Sequence, residues 1–346
     1  MDGISICREV LFSLPMCYAV NQLHTPQGRL GVCASEGRGG CRVYDWHVPE
    51  AQTPVWHDAG GCMSISQLEP EGAFLAVQNF FPGFDAAEAC IVKTSPTPEG
   101  WKAEKWMEYP YLHRFDIVEI QGRQFLVACQ LCKAKAFRDD GSSPGVTAVG
   151  ELDGGRPPRD MQPIIPSLTK NHGFCRTMRN GREVLLIAGS EGLYEVAVPG
   201  GADLPWRAER LLDREISDAV TVDLDGDGVE ELVTIEGFHG DEIAVNKLCG
   251  DRWEIVYRFD APFAHALWGG DILGRPGLLA AYRGGDGALM MLQKPDAEGN
   301  WRMQTTVIDR DVAPTNLSVT SAKDACVIDA SCGKVQQLVR YTLTRE

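Results

Sequence analysis

Seven copies of one β-rich unit run through the chain at a spacing of roughly 45–60 residues, the period of a propeller blade. The first two strands of the copies read CYAVNQLHTPQGRLGVCAS (17–35), CMSISQLEPEGAFLAVQNF (62–80), LHRFDIVEIQGRQFLVACQ (112–130), NHGFCRTMRNGREVLLIAG (171–189), SDAVTVDLDGDGVEELVTI (217–235), AHALWGGDILGRPGLLAAY (264–282) and TNLSVTSAKDACVIDAS (315–331). Apolar and polar residues alternate, and β-branched residues are frequent. That pattern fits half-buried strands and excludes a helical array. Gly28, Gly72, Gly122, Gly181 and Gly274 stand in the turn between these two strands. Third strands are expected at 41–46, 89–94, 146–152, 193–198, 242–248, 288–293 and 335–341, and fourth strands at 54–58, 102–108, 161–167, 207–213, 253–259 and 303–309.

The seventh copy reaches Glu346 without a fourth strand, whereas residues 5–12, SICREVLF, precede the first copy with no partner there. Pairing the two ends in one blade would leave no free edge for another chain to extend. The expectation is therefore an all-β fold, a closed seven-bladed β-propeller in which the N-terminal strand completes the last blade. Residues 1–346 form a single domain on this reading.

Residues 223–232, DLDGDGVEEL, elaborate the turn of the fifth copy. Asp223, Asp225, Asp227 and Glu231, with the Val229 carbonyl, offer an oxygen cage for Ca²⁺ or Mg²⁺. Flanking helices and a bidentate Glu at a twelfth place, as an EF-hand requires, are missing. A short Asp-x-Asp-Gly-Asp-Gly-x-x-Glu-Leu loop between two strands resembles the metal loop of FG-GAP/VCBS repeats. The resemblance implies a propeller and a structural ion that braces blade five.

Composition narrows the partners. Lys and Arg number 33 against 48 Asp and Glu, a formal net charge of −15, and no basic run appears, so nucleic acid is not an expected partner. No apolar run reaches the length of a membrane span, and Arg8 and Glu9 interrupt the apolar residues near the amino terminus. The expected location is the cytoplasm, with no membrane partner. The 12 cysteines, mostly inside apolar strands, then read as reduced, buried hydrophobes. Cys129 and Cys132 form a C-x-x-C pair that lacks a second pair to complete a metal site.

In a propeller the first strand of each blade lines the channel. Loops entering it share a face with the loops joining second to third strands, and the DGDG loop lies on the opposite face. His113, His172 and His265 open the first strands of blades three, four and six, each nine residues before its turn glycine, and Asp218 stands at the blade-five entrance. Three imidazoles and a carboxylate are a ligand set for Zn²⁺ or Mn²⁺, whose bound water serves acid–base chemistry. Two other roles remain open for these histidines: hydrogen bonds to backbone across a packed channel, and direct contact with an anionic substrate.

Long loops at 79–89 and 130–146 fall on the same face. They bring Phe80, Phe81 and Phe84 as an apolar wall and Lys133, Lys135 and Arg138 as contacts for carboxylates or hydroxyls, while shorter loops add His239, Tyr282 and Arg283. Tyr109 and Tyr111 precede His113 and are candidate acid–base groups. His24, His47 and His57 fall in turns or outer strands and are expected at the surface.

A histidine-lined site at a propeller mouth is similar to the sites of propeller-type carbohydrate lyases and, loosely, to the propeller domain of fungal aldos-2-ulose dehydratases. That resemblance implies a metal-dependent carbon–oxygen lyase: β-elimination on a sugar, keto-sugar or sugar acid, with His113, His172, His265 and Asp218 as metal or acid–base groups. Lys133, Lys135, Phe81, His239, Tyr282 and Arg283 would contact the small-molecule carbohydrate. A non-catalytic propeller that binds a glycan or partner protein, and a metal-dependent hydrolase, remain alternatives.

Overall fold

The computed structural model describes residues 3–81, 86–294 and 301–346. Their 28 strands form seven four-stranded sheets, and no helix occurs among the described residues. The protein is an all-β, seven-bladed β-propeller. The leading strands of the sheets are β2 (Cys17–Thr25), β6 (Ile65–Gln67), β10 (Leu112–Ile120), β14 (Gly173–Arg179), β18 (Ile216–Val222), β22 (Ala264–Asp271) and β26 (Pro314–Ser321). Fourth strands lie within a few residues of their expected places, from β5 (Gln52–Trp56) and β9 (Gly100–Glu108) to β25 (Gln304–Asp309).

The last sheet runs in the order β1 (Ile4–Ser13), β28 (Gln337–Arg345), β27 (Ala325–Cys332), β26. β1 lies antiparallel to β28 from Ile4 opposite Arg345 to Ser13 opposite Gln337, with a bulge between Val10 and Phe12. Arg8 then reaches out of this sheet and donates from Nε to Asp309 Oδ2 of β25 at 2.8 Å, an oxygen that also accepts the Tyr341 hydroxyl at 2.7 Å. The two ends of the chain therefore complete one blade, as the strand count requires.

The chain divides into two compact units. One comprises Leu14–Phe174 and Ala197–Ala208, and the other Met1–Ser13, Cys175–Val196 and Glu209–Glu346. In the first, Phe74, Leu75, Ile91, Leu112 and Leu126 are fully buried between sheets. In the second, Val233, Ile235, Ile243 and Val245 fill one core, and Ile328, Tyr341 and Leu343 another. All 12 cysteines are free thiols, nine of them buried. Among the described residues Cys129 and Cys132 gather no third ligand, and burial pushes their thiols up to about 12 and about 11.

Turn chemistry explains the recurrent glycines. Gln121-Gly122 and Asn180-Gly181 have positive φ at both residues (53° and 77°; 51° and 70°), the signature of two-residue hairpin turns matched to strand twist. Packing density explains Gly31 of β3 (Gly28–Ser35): it pairs with Tyr44 of β4 (Cys41–Asp45), and a Cβ there would lie 1.9 Å from Tyr44 Cζ. Tyr44 is 1% exposed, so its ring has little room to withdraw. Gly31→Ala is expected to destabilise the protein by about 1–3 kcal/mol in denaturant unfolding, the usual cost of overpacking.

Candidate functional site

A β-bulge repeats at the entrance of the leading strands. The ladder skips one residue between Cys17 and Ala19, Leu112 and Arg114, Ile216 and Asp218, Ala264 and Ala266, and Pro314 and Asn316. The bulged residues are therefore Tyr18, His113, Ser217, His265 and Thr315. A residue with positive φ stands two places earlier in four of these copies: Met16, Tyr111, Phe263 and Ala313. Lys170 (φ 50°) stands at the same offset before His172, which gives that histidine the same place in the repeat.

His113, His172 and His265 thus share one structural position, and Asp218 does not. Blade five carries Ser217 there, and Asp218 is paired in the ladder with Ile235, its Oδ1 accepting the N–H of Ala219 at 2.9 Å. The one-residue displacement comes from the bulge, which sequence spacing does not reveal. All three histidines are 3% exposed.

In the first unit, the His113 and His172 rings lie 4.4 Å apart, tilted by 30°, and Phe80 meets His113 edge-on at 5.2 Å. Phe81 lies under the Arg38 guanidinium, 5.3 Å from its carbon to the ring centre; Phe84 lies outside the described residues. Lys133 is exposed, and Lys135 turns back to donate to the Arg138 carbonyl at 2.9 Å. Asp140 fixes this loop by accepting the N–H groups of Ala136 and Ser142, both at 2.9 Å. Tyr109 is no ready base: burial, with the nearby Cys129, pushes its hydroxyl up to about 12. A pocket of about 540 Å³ opens beside Gln78, Asn79, Cys90, Lys105 and Glu108, and none of the expected site residues lines it.

In the second unit, three loops converge. The loop after β19 (Glu231–Glu236) is stitched to the loop before β22 by Ala264 N–H to the Gly240 carbonyl, Ala261 N–H to the Asp241 carbonyl and Phe263 N–H to Asp241 Oδ1, all at 2.9 Å. The loop after β23 (Pro276–Tyr282) joins through Arg283 N–H to the Phe263 carbonyl and Gly284 N–H to the Pro262 carbonyl, also at 2.9 Å. His239 and Phe263 both sit in the left-handed region (φ 49° and 54°), conformations uncommon for residues with side chains and held here by those bonds.

The result is a cluster of three near-parallel rings. His239 lies 4.9 Å and 4° from Phe263 and 5.0 Å and 14° from His265, and the Phe263 and His265 ring centres are themselves 6.4 Å apart at 10°. Arg283 places its guanidinium 5.5 Å from the Phe263 ring centre, and Phe263 itself is 40% exposed. His265 Nδ1 lies 2.7 Å from the Thr315 carbonyl. A carbonyl only accepts, so Nδ1 carries the proton and Nε2 is the unprotonated nitrogen of the neutral ring. Tyr282 is buried and donates to Asp286 Oδ1 at 2.7 Å, and Asp286 also pairs with Arg310.

Among the described residues, the one group of three or more His, Cys, Asp or Glu side chains with ligand atoms within 4.8 Å of one another is Asp223, Asp225 and Asp227. Their loop joins β18 to β19, and Gly226 and Gly228 adopt φ of 74° and 88°. Asp223 accepts N–H groups from Gly226, Asp227 and Gly228, and Glu231 accepts that of Leu224. Burial pushes the Glu231 carboxyl up to about 7, opposed by the Leu224 N–H and by Lys247. Lys247, on β20 (Glu242–Cys249), contacts Asp225, Asp227 and Glu231.

Of the expected residues, the structure brings His239, His265 and Arg283 together, beside Phe263, and it sets Lys247 on the acidic loop; neither Phe263 nor Lys247 was expected from the sequence. Phe263 had a readable signal, an aromatic two places before a bulge histidine, as Tyr111 is before His113. Lys247 had none, because it becomes relevant only once Leu232 is known to pair with Asn246, which sets Lys247 opposite Glu231. His24, His47 and His57 are exposed, as expected. No protein-family model matches the chain, and no curated protein matches it.

Proposed function

We propose that the protein binds a small anionic carbohydrate, a sugar acid, on the surface made by His239, Phe263, His265 and Arg283. The observation that carries this reading is the ring cluster: three near-parallel rings, with Phe263 exposed and a guanidinium beside it. An aromatic face covers the C–H face of a sugar ring, and a guanidinium pairs with a carboxylate through two parallel hydrogen bonds. The bonds among the three loops fix the cluster before a ligand arrives, which lowers the ordering cost of binding. The similarity of histidines at a propeller mouth to the sites of propeller-type carbohydrate lyases favours the same ligand class.

The net charge of −15 works against an anion at long range, so attraction must come from Arg283 at contact. Added salt is therefore expected to raise the association rate. Stopped-flow measurement at two ionic strengths checks the sign.

A second reading, carbon–oxygen lyase activity, is favoured by the His265 tautomer. With Nδ1 protonated, Nε2 is the basic nitrogen that would remove a proton from the carbon beside the carboxylate. The C–H electron pair becomes the new C=C bond, the β C–O bond breaks, and the leaving oxygen takes a proton and departs as water or an alcohol. Arg283 would offset the charge that develops on the carboxylate. No step of this reading is routed through a transition metal.

Calorimetric titration with glucuronate and galacturonate, with near-ultraviolet absorbance followed in parallel, tests both readings. Binding that weakens about tenfold in Arg283→Met, a loss of about 1.4 kcal/mol, supports the site. Growth of an absorbing unsaturated product adds the lyase reading. Neither binding nor product from any sugar acid overturns the proposal.

A further inference from the structure

The acidic loop of blade five carries its own cation. Lys247 Nζ lies 2.7 Å from Asp225 Oδ2, 2.7 Å from Asp227 Oδ2 and 3.2 Å from Glu231 Oε1. An ammonium has three N–H bonds, and here each meets a different carboxylate. Trp301 closes one side, its ring centre 5.8 Å from Nζ.

The carboxylates of the loop already have partners. Asp223 uses Oδ1 for the N–H groups of Gly226 and Asp227 and Oδ2 for that of Gly228, while Glu231 Oε2 accepts Leu224 N–H. The remaining inward oxygens of Asp225, Asp227 and Glu231 point at Lys247. Ca²⁺ takes about six to eight oxygens at 2.3–2.6 Å, and Mg²⁺ about six at 2.0–2.1 Å. The Lys247 ammonium stands where an ion shared by Asp225, Asp227 and Glu231 would lie, so either ion would have to displace it.

We propose that Lys247 takes the place of the structural cation, so that the loop folds around an internal ammonium and needs no divalent ion. The register explains why this lysine and no other serves: Leu232 pairs with Asn246, and the next step of the ladder brings Lys247 opposite Glu231 at the edge of the loop. The inference stands apart from the sugar-binding surface.

Terbium luminescence tests it, because Trp301 is placed to sensitise an ion bound where Lys247 Nζ now lies. The protein is titrated with Tb³⁺ under tryptophan excitation, and thermal melting is recorded with EDTA and with millimolar Ca²⁺. The wild type is expected to melt at the same temperature in both. Lys247→Met and Lys247→Gln, checked as folded by circular dichroism, are expected to melt lower in EDTA, to recover with Ca²⁺, and to reach half-maximal terbium emission at a concentration at least about tenfold below the wild type. A wild type that gains stability from Ca²⁺, or folded variants whose emission midpoints equal that of the wild type, overturns the proposal.

Discussion

Removing residues 1–13 is expected to lower the melting temperature by about 10 °C or more and to make the protein aggregate. The deletion takes away β1, whose Ile4 and Ile6 pack against the core formed by Ile328, Tyr341 and Leu343, and whose Phe12 is buried. Apolar side chains of this size contribute about 1.5–3 kcal/mol each when fully buried, and each kcal/mol shifts the midpoint of a large domain by about 2–4 °C. Deletion also bares the edge of β28, a row of unpaired N–H and C=O groups open to another chain. The pairing can be checked without deletion, because Cys7 lies opposite Thr342. Thr342→Cys should form a disulfide with Cys7 on mild oxidation, detected by peptide mapping, since directly opposed strand residues lie within the span a disulfide closes.

Arg340→Met is expected to cost about 3–5 kcal/mol in denaturant unfolding. Arg340 donates from Nε to Asp329 Oδ1 at 2.6 Å and from a terminal nitrogen to Oδ2 at 2.8 Å, a two-pronged pair across β27 and β28. Asp329 is 0% exposed, so the substitution takes the paired cation from a carboxylate that water cannot reach. Adding Asp329→Val to Arg340→Met removes that buried charge and should recover much of the loss. Equal destabilisation of the single and double variants would show that packing, and not the ion pair, holds these two strands together.

The blades were legible because each must bury one face. Alternation marked the strands, glycines marked the turns, and the count of fourth strands required the chain ends to meet. The site was legible only in part. Histidines recurring nine residues before a glycine could be read directly, since a fixed offset survives any uniform bulge. Asp218 could not be placed, because in blade five the bulge assigns the equivalent position to Ser217. Lys247 depends on cross-strand register, and Phe263 on loop-to-loop bonds that join residues far apart in sequence. The register that sets Lys247 leaves no local pattern, whereas Phe263 left a faint one, an aromatic two places before a histidine.

The cluster of His239, Phe263 and His265 is the part of the account that bears on function, and the chain's seven histidines allow it to be watched directly. Side-chain resonances of the imidazoles can be followed by heteronuclear NMR as glucuronate is added. The account predicts that His239 and His265 shift in a saturable way, that exposed His24, His47 and His57 stay in place, and that Phe263→Ala abolishes the response. Shifts confined to His24, His47 and His57, or no saturable shift at His239 and His265, would contradict it.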